Sequence, residues 1–120
     1  MKYLAAIMLG FIAVSAFGSL PKSEINALLD YVQGLEGAVF IRNGEEHAAK
    51  DAVAHLRLKW EKQEKKIRSA EDFITLCASK SSLSGKRYQI RFKDGSVRFC
   101  DDVLTEYLHT VREPANKPVQ

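Results

Sequence analysis

The sequence predicts an α+β fold: a single small domain with about four helices packed on two antiparallel β-hairpins. Three observations carry this. Apolar residues recur at helical spacing in four separate stretches. Two short β-prone runs each contain a tight-turn pair, Asn43-Gly44 and Asp94-Gly95. The order is helix, hairpin, two helices, hairpin, helix, with no strand–helix–strand rhythm of the kind that builds parallel sheets.

Residues 1–18 read as a signal peptide. Lys2 is the one charged side chain ahead of the apolar run from Leu4 to Phe17, and the small residues Ala16, Gly18 and Ser19 follow. The run is about 14 residues, short of the roughly 20 a membrane span needs. No cysteine directly follows it, which excludes a lipobox anchor. Cleavage fits after Ala16 or after Gly18. The expected location is therefore exported, periplasmic or secreted, with no transmembrane span once the leader is removed. The remainder divides into an α+β domain over 19–112 and a flexible C-terminal tail over 113–120, which holds two prolines and no apolar pattern.

Within the domain, Ser23 is the expected cap of a first helix reaching about Glu36, with Ile25, Leu28, Leu29, Val32 and Leu35 as its buried stripe. Val39 to Arg42 and Glu45 to His47 form the first hairpin, placing Arg42 opposite Glu45 and Phe40 opposite His47. The competing reading makes Asn43 a helix cap with Glu46 reaching back. The longest helix runs from about Ala49 to Lys66, burying Ala49, Ala52, Val53, Leu56 and Trp60; its charged half, Arg57 to Arg68, reads as a solvated face. Ser69 caps a short helix with Phe73, Ile74 and Cys77 inward. Lys80 to Lys86 is a polar loop. Tyr88, Ile90 and Phe92 alternate with polar residues, and a two-residue Asp94-Gly95 turn leads back through Ser96 to Cys100. Asp101 or Asp102 caps the last helix, with Val103, Leu104, Tyr107, Leu108 and Val111 inside.

A formal charge of +3 is only mildly basic, which argues against nucleic acid as a partner. Cys77 and Cys100 are the two cysteines, and the exported compartment favours a disulfide between them. It would close a loop of about two dozen residues, worth roughly 3 kcal/mol.

Few residues point to chemistry. His47, Asp51 and His55 are spaced by four, but residues eight apart on a helix are separated by about 12 Å, too far for both histidines to share one ion. No metal or other cofactor is expected. His55 is a possible functional histidine, as a base or anion ligand, although the rest of a catalytic constellation is missing. The loop Ser81-Ser82-Leu83-Ser84-Gly85-Lys86 is neither a Walker loop nor a nucleophile elbow, and can at most offer an anion nest. With a two-residue turn, Arg91 falls opposite Arg98, and facing like charges need an acid or an external anion between them. The expected anion patch is therefore Arg42, Lys86, Arg87, Arg91 and Arg98.

The string Phe40-Ile41-Arg42-Asn43-Gly44, Ala49, Ala52, His55-Leu56-Arg57, Lys59, Ala70-Glu71, Phe73-Ile74, Ser81-Ser82, Ser84-Gly85 and Tyr88 resembles the YfeK-like family of small exported bacterial proteins of unknown function. The resemblance spans roughly Leu20 to Leu108. It implies compartment and fold and carries no activity. His47 departs from the aromatic residue usual there, and the Cys77/Cys100 pair is not part of the signature.

The sequence thus favours a non-catalytic binding or interaction module of the cell envelope, whose partner is an envelope protein, glycan or lipid presenting an anionic group. A small hydrolase using His55 with a serine of Ser81–Ser84, and a secreted enzyme inhibitor, are the alternatives. Intact-mass measurement of protein from the envelope fraction is expected to give a mature N-terminus at Phe17 or Ser19. A full-length mass would make the segment an anchor.

Overall fold

The computed structural model describes residues 21–113. The apolar leader, its two cleavage positions and the tail from residue 114 lie outside the described residues. Those described form an α+β domain: α1 (residues 21–33), β1 (Val39–Arg42), β2 (Glu45–His47), α2 (Ala49–Lys62), a 3-10 turn (Glu64–Lys66), α3 (Ala70–Cys77), β3 (Gln89–Arg91), β4 (Val97–Phe99) and α4 (Cys100–Arg112).

The two hairpins merge. β1 pairs with β3 as well as β2, giving one antiparallel sheet of order β2-β1-β3-β4. Residues paired across strands share a face, so Phe40, His47 and Ile90 lie on one side. The helices cover that side. Ile25, Leu28, Leu29 and Val32 of α1, Leu56 of α2, Phe73 and Ile74 of α3, and Leu104 and Leu108 of α4 close over Phe40 and Ile90. Trp60 meets Phe73 edge-on at 5.9 Å. The other sheet face is open, with Val97 and Phe99 exposed.

The first hairpin has the predicted register, Phe40 with His47 and Arg42 with Glu45. Asn43 and Gly44 take φ of 54° and 80°, the left-handed pair such a turn requires. The alternative helix cap at Asn43 is excluded. In the second hairpin the register is different. The Gly95 amide donates to the Phe92 carbonyl and Gly95 has φ 93°, so the loop is Lys93-Asp94-Gly95, a turn closed by a left-handed glycine. This one-residue slip pairs Arg91 with Val97 and Ile90 with Arg98. Arg91 and Arg98 therefore lie on opposite faces, and the predicted facing of like charges does not occur.

Other elements shift modestly. Ser23 lies inside α1, which ends at residue 33. The long helix stops at Lys62, and Gln63 leads into the 3-10 turn. Ser69 caps α3 as expected, accepting from the Asp72 amide at 3.0 Å. Asp101 and Asp102 sit in the first turn of α4, favouring its N-terminal dipole, while Phe99 holds the cap position. Cys77 and Cys100 are free, buried thiols rather than a bridged pair. Each is packed as a small apolar residue in the core, and burial pushes the Cys77 thiol up to about 11 and that of Cys100 to about 12.

One ion-pair network ties the first described helix to α3 and α4. Arg112 of α4 grips buried Glu24 of α1 with two bonds of 2.9 Å and reaches Glu71 of α3 at 2.9 Å. The Arg112 guanidinium holds the Glu71 carboxyl down to about 2. Arg112→Met is expected to cost about 2 kcal/mol, because it leaves the Glu24 carboxylate buried and unpaired. Glu71→Gln removes an exposed partner and should cost under about 1 kcal/mol. Urea midpoints of both variants check the contrast.

Candidate functional site

The site lies between the first hairpin, α2 and the Ser81–Lys86 loop. Alternation along β1 puts Arg42 on the same side as Phe40, so its guanidinium projects over α2. On α2, His55 and Lys59 are one turn apart and present adjacent side chains. Tyr88 is held by its backbone: its amide donates to Ser79 O at 3.0 Å and its carbonyl accepts from the Cys100 amide at 2.8 Å. The loop is fastened by Asn43. Its Nδ2 donates to Ser81 Oγ at 3.2 Å and its Oδ1 accepts from Ser84 Oγ.

These side chains form one chain of contacts. The Arg42 guanidinium stands 3.0 Å from His55 Nδ1 and 3.2 Å from Nε2. Arginine has donors only, so it bonds a ring nitrogen bearing a lone pair. His55 Nε2 stands 3.2 Å from the Tyr88 hydroxyl, so the ring joins Arg42 to Tyr88 in either neutral tautomer. The Tyr88 oxygen accepts from Lys59 Nζ at 3.0 Å. Lys59 donates as well to the Lys80 carbonyl at 3.1 Å.

The electrostatics are one-sided. Lys59 is 8% exposed and has no carboxylate partner among the described residues. Arg42 and Lys62 likewise make no ion pair there. Glu45, opposite Arg42 in the ladder, stands 3.9 Å from His47 Nε2 instead. Burial, then the charges of Arg42 and Lys59, then His47 and Lys62, push His55 down to about 4 from 6.5. His55 is thus neutral at physiological pH. The group borders a cleft of about 470 Å³ lined by Arg42, His55, Lys59, Lys62, Ser81 and Tyr88, with Glu45, Leu58 and Leu83 at its walls. A smaller cavity of about 50 Å³ lies against the same Arg42–His55–Tyr88 chain, among Phe40, Ala52, Leu56 and Cys100.

The residues expected to bind an anion are dispersed. Arg91 pairs with Glu46 at 2.8 Å and Arg98 with Glu106 at 3.0 Å. Arg87 pairs with Asp101 at 2.7 Å and stacks 3.7 Å over Phe99. Lys86 is exposed on the serine loop. Of that set only Arg42 enters the cleft, where it meets His55. The loop is no open nest: the amides of Ser81, Leu83, Ser84, Gly85 and Lys86 all bond within it. Lys59 and Tyr88 were missed as site residues. Lys59 follows Leu56 by three, on the buried stripe, and that position was the available signal. Among the described residues no three His, Cys, Asp or Glu side chains converge as metal ligands.

A family model described as a family of unknown function (DUF5329) matches residues 19–112. The chain belongs to this family. It is also 36% identical over 85 residues to the uncharacterized protein YfeK of Salmonella typhimurium (strain LT2), covering 71% of each chain. The YfeK-like resemblance of the sequence is thus met by both comparisons. No solved structure matches. Neither description names an activity.

The depressed His55 gives a pH signature. Above about pH 6.5 the folded and unfolded chains both hold it neutral. As pH falls from about 6.5 to 4, the unfolded chain takes a proton that the native one refuses, and stability declines. Below about 4 this contribution levels off. Urea midpoints from pH 7 to 4 should fall less steeply in His55→Gln than in the parent.

Proposed function

We propose that this chain is a non-catalytic binding module of the bacterial envelope that holds an anionic group in the cleft of Arg42, Lys59, Lys62 and Tyr88. The observation that carries the reading is the buried Lys59, which lines the cleft with Arg42 and has no neutralising carboxylate among the described residues. A buried cation is costly unless it is compensated. An anion entering here would find two strong charges beside the Tyr88 hydroxyl. The exported location is supported by the charge, apolar run and small residues of the leader.

The hydrolase alternative draws less support. His55 bonds Arg42 and Tyr88 and no serine among the described residues, while Ser81 Oγ is engaged by Asn43 and by the Leu83 and Ser84 amides. A histidine held near 4 is also a weak general base at neutral pH.

Inorganic phosphate is expected to raise the melting temperature more than chloride at matched ionic strength. At ten times its Kd the gain is about 1.4 kcal/mol, several degrees for a domain of this size. Lys59→Met should abolish the difference. Arg91→Gln, whose guanidinium is already satisfied by Glu46, should retain it. Equal gains in all three proteins would reduce the effect to general salting-out.

A further inference from the structure

The rim of the cleft carries a feature that a free anion does not explain. Leu83, at the tip of the serine loop, is 95% exposed, and Leu58 on α2 is 48% exposed; both line the cleft. The loop does not hold Leu83 out for want of structure. Ser81 Oγ accepts from the Leu83 and Ser84 amides, the Gly85 amide donates to Ser81 O, and Asn43 binds the loop to the hairpin. An internally hydrogen-bonded loop thus presents an aliphatic side chain to the surroundings. Lys62 stands on the same rim, and Lys80 and Lys86 flank the loop, all exposed. Glu45 is the acid among the cleft walls.

Resting on the anion-binding reading of the cleft, we propose that the anion is the phosphate headgroup of an anionic phospholipid in a bilayer surface, with Leu83 inserted beside it as the anchor. The two halves of the rim match the two layers of such a surface. The cations meet the negative headgroup plane, and the leucine reaches the acyl boundary below it. One leucine with a half-exposed neighbour is too small to form the apolar centre of a stable protein–protein interface. It suits a surface contact in which the cations supply most of the attraction.

The test uses the full chain with Leu83→Cys, labelled with an environment-sensitive fluorophore; Cys77 and Cys100 are buried and do not compete for the label. A second protein carries the label at Thr105→Cys, on an exposed position of α4. Vesicles of phosphatidylglycerol with phosphatidylcholine are expected to raise emission at position 83 about threefold, and pure phosphatidylcholine vesicles to leave it unchanged. The label at 105 should stay in water in both, which separates loop insertion from tethering by the apolar N-terminal segment. Lys62→Glu, a surface change, should weaken the response to anionic vesicles by roughly tenfold. No change at 83 with anionic vesicles, or an equal change with neutral ones, overturns the lipid assignment. If phosphate still stabilises the protein through Lys59, the cleft remains an anion site and its partner is a protein or glycan. If neither phosphate nor vesicles bind, both readings fall together.

Discussion

The pairing of β1 with β3 is the constraint on which the rest of the molecule depends. Two hairpins, separated in sequence by two helices, become one sheet through Phe40 against Ile90 and their neighbours. A two-stranded hairpin alone is marginal in water, and the merged sheet presents a face wide enough for four helices to cover. Closing so long a connection costs chain entropy, which the burial of Phe40, Ile90 and the helix stripes offsets. The same pairing sets Arg42 at the end of β1 beside Tyr88, just ahead of β3. Without it the hairpin guanidinium and the tyrosine would have no common neighbour in His55.

The cleft is then a consequence of how α2 lies on that sheet. A helix laid across Phe40 through Leu56 turns the residues one step round its surface, His55 and Lys59, toward the sheet's end. Lys59 is long enough to reach the Tyr88 hydroxyl and the Lys80 carbonyl, which satisfies its donors but leaves its charge uncompensated. Arg87, Arg91, Arg98 and Arg112 each meet a carboxylate. Arg112 in particular joins three helices through Glu24 and Glu71. The contrast between paired surface arginines and an unpaired, buried lysine separates the wiring of the fold from the site.

Much of the fold was legible in the sequence, because local patterns governed it. Apolar spacing marked all four helices, Asn43-Gly44 specified the first hairpin to the residue, and Ser69 announced the start of α3. The second hairpin shows where such reasoning stops. Asp-Gly is compatible with a two-residue turn or with a three-residue loop ending in a left-handed glycine, and the choice moves every side chain to the other face. The chain takes the second, with the Phe92 amide on the Ser96 carbonyl and Gly95 at φ 93°, so the arginine patch built on the first dissolved. The cysteines show the same limit: their compartment favours a bridge, while the core uses each as an apolar filler.

The sequence by itself determined the class of fold, its elements and their order, and the family, because periodicity, turn chemistry and residue identity are properties of short stretches. It also singled out Arg42 and His55. Only the tertiary structure decided which charges are neutralised, since a carboxylate can satisfy an arginine from any distance along the chain. It placed Glu46 on Arg91 and Glu106 on Arg98, and set no carboxylate on Lys59 among the described residues. Charge pairing is a matter of a few ångströms in space, and spacing along the chain does not encode it.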